Sequence, residues 1–391
     1  MTVNVITATE DLAALCQRLA CAAFITVDTE FMRETTFWPK LCLAQVAGPD
    51  EAAAIDTMAP GLDLTPLFEL LSNPSVLKVF HAARQDLEIF HHLDGRVPGP
   101  LFDSQVAAMV CGFGEQVSYQ ALAAKLAGAR IDKSSRFTDW SHRPLSDRQL
   151  EYAIDDVTHL RVIYQRLSES LEKSGRAAWV VEEMTALSDP ALYEQLPENA
   201  WRRIKSRSTD GKFLAVLSKV AAWRESEAQS RDLPRNRILR DEALLEIAAR
   251  APTTVVDLAR TRGLGKRLAE GGMGRSLIAA VTAGVATPEA NRPKVAKPRP
   301  PSRGAGPVVE LLRVLLKMKC EAHDVAQRLV ANSAELERIA TENDADVPAL
   351  HGWRREIFGE EALALKAGKL ALSIRAGRLH IDRLDVREAA D

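Results

Sequence analysis

The sequence predicts an α/β domain over roughly the first 170 residues, followed by two small all-helical units. Three observations carry that reading. Strand and helix signals alternate up to about residue 170; strand signals then stop after about residue 200. Residues 287–307 hold six prolines and five Lys or Arg, a composition that makes a stiff linker between two helical stretches. A chain of 391 residues is also too long for one ordinary domain.

Taken in order, residues 24–31 (FITVDTEF) and 41–46 (LCLAQV) read as strands bounded by polar or turn residues. A third apolar stretch, 52–55, follows the Gly48-Pro49-Asp50 turn, so the three should form an antiparallel meander. Residues 77–80 are a short apolar run feeding the helix of HAARQDLEIF. Helical periodicity marks 104–111, 118–127 and 147–170. The last opens with Ser146-Asp147-Arg148-Gln149, a capping-box pattern, and Leu150, Ile154, Val157, Leu160, Tyr164 and Leu167 form its expected core stripe. Beyond residue 200, a first bundle spans about 210–287. A second, about 308–385, opens on the periodic run VVELLRVLLKMKCEAHDVAQRLV. No short-period repeat is visible, but two helical units of similar length fit a duplicated module.

Composition excludes several classes. Hydrophobic content of 46% with 27% charged residues is ordinary for a globular protein, and no run reaches the 18 apolar residues of a membrane span. The start MTVNVITATEDL has neither a basic nor an apolar leader region, so no secretory signal is expected. Five scattered cysteines (Cys16, Cys21, Cys42, Cys111, Cys320) without a CxxC argue against a disulfide framework or zinc site and for a reducing cytoplasm; they read as small core residues. The net charge of −2 conceals an asymmetry. Residues 1–174 carry 15 Lys+Arg against 23 Asp+Glu, a net of −8, whereas residues 200–305 carry 22 against 10, a net of +12. An acidic module followed by a basic one suggests chemistry in the first and a polyanion grip in the second; a basic surface that is merely solvated is the alternative.

Asp28 and Glu30 sit at i and i+2 in an apolar strand and therefore share one face of the sheet. Two adjacent buried anions are unfavourable unless a cation neutralises them; alone, the pair fits a wet face better. Asp86 lies near a helix start, where a carboxylate is also favoured by the macrodipole alone. Tyr152 and Asp156, at i and i+4, share a helix face beside the core stripe, with Asp155 turned about 100° toward solvent. Together, four carboxylates in this order can hold two Mg²⁺ or Mn²⁺ ions for in-line phosphodiester cleavage. Oxygen-only ligands suit those hard ions and disfavour zinc.

The order D-T-E-F (Asp28–Phe31), H-A-A-R-Q-D-L-E (His81–Glu88) and Y-A-I-D-D (Tyr152–Asp156) resembles the tyrosine-bearing branch of the DEDD exonuclease superfamily. Within that branch the match is close to the ribonuclease D family. Arg33 and Trp38-Pro39, Phe102-Asp103-Ser104-Gln105, Asp132-Lys133-Ser134, Thr138-Asp139-Trp140 and Arg143-Pro144-Leu145 extend it over essentially all of 1–170. Lys212-Phe213-Leu214, Trp223-Arg224 and Asp232-Leu233-Pro234-Arg235 resemble an HRDC module in the first helical unit; the second is divergent and is assigned by position.

The resemblance implies an RNase H-like exonuclease domain (1–172), a helical connector (173–205), a first HRDC domain (206–287), a Pro/basic linker (288–306) and a second HRDC-like domain (307–391). It implies that Asp28, Glu30 and Asp156 bind the metal that activates water, Asp28 bridging to a second ion and Asp86 supporting the site. Tyr152 would orient or help deprotonate that water. The activity implied is hydrolytic 3′→5′ trimming of RNA, such as tRNA precursors, to nucleoside 5′-monophosphates. A DNA exonuclease and a non-catalytic RNA scaffold are the alternatives. Substrate contacts are expected from Thr29, Phe31, Met32, Lys133, Arg136 and Arg143, with core packing the competing role for Phe31 and plain solvation for the cations. His81 reads as a hydrogen-bonded structural histidine. Gly263–Arg267 lacks the Walker spacing and a preceding strand, so it reads as a helix-connecting turn with a basic edge. No nucleotide cofactor, no membrane and a monomer in the cytoplasm complete the expectation.

Overall fold

The computed structural model describes residues 3–295 and 304–384. The middle of the expected linker and the last residues of the expected second helical domain lie outside the described residues.

A six-stranded mixed sheet organises the N-terminal half, in the order β1-β4-β3-β2-β5-β6. Its strands are β1 (Val5–Ile6), β2 (Phe24–Met32), β3 (Lys40–Ala47), β4 (Ala52–Ile55), β5 (Leu77–Phe80) and β6 (Leu101–Asp103). β2, β3 and β4 form the expected antiparallel meander, while β5 and β6 add to β2 in parallel. Helices α1 (Thr9–Leu19), α2 (Thr65–Ser72), α3 (Arg84–Asp94), α4 (Ser104–Val110), α5 (Tyr119–Leu122), α6 (Asp147–Ser174) and α7 (Ala177–Leu187) cover it. The long helix α6 starts with the capping box: the Ser146 hydroxyl accepts from the Gln149 backbone while the Gln149 side chain accepts from the Ser146 N–H.

One expectation about α6 needs correcting. Its buried stripe is Ala153, Asp156, Val157, Leu160, Ile163, Leu167 and Leu171, so Asp156 lies within the core-facing stripe and not beside it. The first turns of the helix meet a separate small cluster. Leu150 and Ile154 lean there against Cys42, Leu43, Ala54 and Trp140, and only the later turns join the main core. Among the cysteines, Cys16, Cys42 and Cys320 are buried as expected, but Cys21 is exposed.

Beyond the sheet, α7 and Tyr193 pack into the first core, whereas Ala200 and Ile204 pack into the core of the first helical unit. That unit is built on α8 (Gly211–Ser230) and the helices Asp241–Arg250 and Gly272–Val285. It grips the loop that follows β2. Phe37 is buried in the helical core, and the Asp232 carboxylate accepts from the backbone N–H groups of Phe37 (3.0 Å) and Trp38 (2.9 Å). Arg235 lies 4.4 Å from the Phe37 ring centroid, and Trp38 stacks on His92 at 3.9 Å. The helical unit is therefore fastened to the chain a few residues beyond Glu30, and deleting it would strip Phe37 of its packing.

The second helical unit opens with the helix Ala305–His323, which starts two residues inside the stretch expected as linker. It docks on the sheet domain through the Trp179–Trp353 stack (4.5 Å) and the ion pairs of Arg354 with Glu182 and Glu183. Contrary to the expectation of helix throughout, it ends in a hairpin of β7 (Leu370–Arg375) and β8 (Arg378–Arg383). Alternation of Leu370, Leu372 and Ile374, then Leu379 and Ile381, around Ala376-Gly377 is a period-two signal obscured by the many arginines.

Candidate active site

Asp28 and Glu30 project from the face of β2 that also carries Thr26, whose buried hydroxyl donates to the Val157 carbonyl of α6 at 2.8 Å. That bond ties α6 across β2 and brings Asp156 over the two strand carboxylates. A register shift between Glu30 and Phe31 then turns the strand away just past the site. Carboxylate oxygens of Asp28, Glu30 and Asp156 lie within 4.8 Å of one another.

Asp86 arrives from the first turn of α3. It is buried, accepts a hydrogen bond from the Thr29 hydroxyl and lines the same cavity, but stands outside the tight trio. Its approach depends on a turn in which Ala82 takes φ +58°, a conformation unfavourable for a residue with a Cβ. The Asp103 carboxylate stabilises that turn, accepting from the N–H groups of Ala82 (3.0 Å) and Ala83 (2.9 Å) while also capping α4 through Gln105 (2.8 Å). Asp103 is a positioning residue that motif reading passed over. The F-D-S-Q pattern was visible, but its bond partners, about twenty residues upstream, were not.

These carboxylates repel. Burial, then Asp156, Asp86 and Glu30, push Asp28 well above the usual carboxylate range. Burial and the charges of Asp156 and Asp86 push Glu30 up to about 9, against a smaller pull from Arg136. Asp86 and Asp156 rise to about 7, chiefly through burial, with hydrogen bonds from Thr29 and Tyr152 opposing. Such a cluster needs a cation, and an all-oxygen donor set without Cys or His fits a hard divalent one. A stability consequence follows. Groups with raised folded-state pKa contribute stability that is complete below about pH 4 and is lost as pH rises, through about 7 for Asp86 and Asp156 and about 9 for Glu30. Chelator-treated protein should therefore melt at lower temperature as pH rises across this window. Added divalent cation should restore Tm, more so at the alkaline end, because it binds the ionised form. Melts with and without metal at several pH values check this; a restoration that shrinks with pH would contradict it.

The trio, Asp86 and Tyr152 line one open cavity of about 800 Å³, together with Thr29, Phe31, Met32 and Arg136. Burial and the neighbouring carboxylates push the Tyr152 phenol far up, so it stays protonated. Asp155 faces away and meets His159 at 3.7 Å, as a solvent-side residue should. His81 bonds Ser104 at 2.9 Å. Thr29 faces the cavity, but its hydroxyl is engaged by Asp86. Phe31 is half-buried against the main core.

Arg143 is a correction. Its guanidinium is committed to both oxygens of Asp56 (2.7 and 2.8 Å) and to the carbonyls of Trp140, His142 and Cys42, which leaves it a brace and not a phosphate contact. Lys133 lies on the 3₁₀ turn Lys133–Ser135, and its side chain lies outside the described residues. Residues 263–265 form the expected connecting turn, while Lys266 and Arg267 already open the short helix Lys266–Glu270, beside Arg237 and Arg240.

With this geometry in hand, likeness to known proteins is informative. A family described as 3′-5′ exonuclease matches residues 3–172, and one described as the HRDC domain matches residues 213–281. The ribonuclease D of Gluconacetobacter diazotrophicus is 53% identical over 374 residues, 96% of this chain and 95% of that one. That of Bartonella henselae is 43% identical over 383 residues, 97% and 94% of the two chains. Among solved structures, Escherichia coli RNase D, described as an exoribonuclease involved in structured RNA processing, superposes with a TM-score of 0.81 at 30% identity, covering 94% of this chain and 99% of that one. The catalytic core of RRP6 from Trypanosoma brucei shares the fold, with a TM-score of 0.55 at 21% identity over 72% of this chain and 79% of that one.

Proposed function

The chain belongs to the ribonuclease D family, and from that premise we propose how its 3′→5′ exoribonuclease activity is carried out and on what. The activity is metal-dependent. In our reading Asp28, Glu30, Asp86 and Asp156 hold two Mg²⁺ or Mn²⁺ ions, and the substrates are structured RNA 3′ ends, tRNA precursors among them. The observation that carries this is the trio of mutually repelling carboxylates within 4.8 Å, open to a cavity large enough for a terminal nucleotide.

Divalent ions bound here would supply charge that activates water and neutralises the negative charge developing on the phosphate and leaving oxygens. The chain's own groups do the rest. Asp28 and Asp156 would hold ions from different elements, β2 and α6, so the distance between strand and helix sets the site. The protonated Tyr152 hydroxyl aligns the attacking water opposite the 3′-oxygen of the penultimate nucleotide. Water oxygen bonds to phosphorus, the P–O3′ bond breaks, and a nucleoside 5′-monophosphate leaves behind a new 3′-hydroxyl end.

The basic segment 200–305 contributes salt-sensitive backbone contacts that retain the RNA, with Arg237, Arg240 and Arg267 along one cavity of the helical unit. The second helical unit is read as a divergent HRDC-like domain. Among the described residues no helix is long and apolar enough to cross a membrane. Five free cysteines favour a reducing compartment, and in our reading the protein acts as a monomer in the cytoplasm. The test is degradation of matched RNA and DNA oligomers with a 3′-hydroxyl, with and without divalent metal. RNA should shorten from its 3′ end to 5′-monophosphates only with metal. Preference for DNA, or 3′-monophosphate products, would overturn the reading.

A further inference from the structure

Phe137 is 90% exposed, more than any other large apolar side chain among the described residues, and it lines the same cavity as Asp28, Glu30 and Tyr152. A phenyl ring left in water gives the fold nothing, yet the backbone that carries it is held in a bonded turn. The Ser135 carbonyl accepts from the Thr138 hydroxyl (2.7 Å) and N–H (3.1 Å), which closes a tight turn around the ring. Gln149, in the first turn of α6, donates to the Thr138 hydroxyl at 3.1 Å, and buried Trp140 anchors the chain two residues on. The Arg136 guanidinium sits 5.2 Å from the Phe137 ring centroid. An exposed aromatic face on a bonded turn, with a cation alongside, at the edge of a phosphodiester-cleaving cavity matches what single-stranded nucleic acid needs. Its bases stack on aromatic faces whatever their identity, and its backbone seeks positive charge.

We propose that Phe137 is a stacking platform for a base near the 3′ end of the bound RNA, and that Arg136 meets the adjoining phosphate. The proposal rests on the exoribonuclease reading and adds a substrate-binding residue to it. Because stacking is indifferent to base identity, the subsite grips any unpaired 3′ end and rejects bases locked in a duplex. It thereby confines trimming to single-stranded overhangs.

The test uses full-length protein and RNA carrying 2-aminopurine near the 3′ end. Phe137→Ala, Phe137→Leu and Phe137→Trp are compared, with Asp28→Asn present in every binding arm to block cleavage. Stacking predicts affinity on the order of 10-fold weaker for both Ala and Leu, retained affinity for Trp, and fluorescence quenching in the aromatic proteins alone. In active protein, KM should rise in the Ala and Leu variants far more than kcat falls, with Tm unchanged because the ring is exposed. Quenching and affinity preserved in Phe137→Ala would overturn the proposal. So would a Leu variant equal to the original, since that would make the contact apolar and not aromatic. If unsubstituted protein fails to shorten RNA at all, the exoribonuclease reading fails instead, and the two failures stay distinct.

Discussion

Asp28→Asn should leave the chain folded and lower turnover by at least about 10³-fold. The expectation follows from the site's electrostatics. Asp28 is half-buried beside Glu30, Asp86 and Asp156, and all four rise in pKa chiefly because burial disfavours their charged forms, with the neighbouring site carboxylates adding to the rise at Asp28 and Glu30. A divalent ion held by such a set supplies several kcal/mol of charge stabilisation, and every 1.36 kcal/mol is a factor of ten in rate. Replacing one carboxylate by its amide keeps the shape and removes a charge. Asp28→Asn, Glu30→Gln, Asp86→Asn and Asp156→Asn should therefore each nearly abolish cleavage. Double replacements should add little, because the group acts as a unit. A second readout separates lost charge from lost fold: with repulsion relieved, chelator-treated Asp28→Asn should melt at or above the temperature of the unsubstituted protein. Asp155→Asn is the internal control and should cleave normally, since Asp155 turns outward to His159. An essential Asp155 beside a dispensable Asp156 would falsify the assignment of the last motif.

Much of this site was legible in the sequence because its signals are local. Asp28 and Glu30 announce themselves as charges inside an apolar strand, and Tyr152 with Asp156 follows from helical spacing. The meander could be read from turn residues between short apolar runs. What escaped depends on contacts between distant segments. Arg143 looked like a free cation on a loop, but Asp56, 87 residues upstream in the chain, holds it. The buried face of α6 is rotated from the expected stripe because two different clusters claim its two halves. Phe37 reads as a loop residue and is core to a domain that begins more than 150 residues later. That last contact has a practical side. Loss of the basic helical unit would disturb the loop after Glu30, so charge-neutralising substitutions within it are a cleaner probe of RNA grip than truncation.

Tyr152→Phe should lower kcat by roughly 10²–10⁴-fold while metal and RNA affinity change little, the usual span for a positioned proton-handling group. A phenol with an ordinary pKa of about 10 is already a weak base at neutral pH. Here burial and the charges of Asp156, Glu30 and Asp28 push it higher still, so it works as a neutral hydroxyl. Its value lies in geometry. It stands one turn of α6 before Asp156, lines the cavity and donates toward that carboxylate, so it can hold the attacking water in line with the bond to be broken. Removing the hydroxyl keeps the ring, which packs near Trp140 at a centroid distance of 6.2 Å, and stability should fall only slightly. Loss of its hydrogen bond should raise the Asp156 pKa, since that bond holds it down, and so shift the acid limb of the pH–rate profile upward. Metal titration with single-turnover kinetics decides the matter. Normal single-turnover rates would reduce Tyr152 to a packing residue. Weakened metal binding with a proportionate rate loss would instead make it a support for the ion ligands.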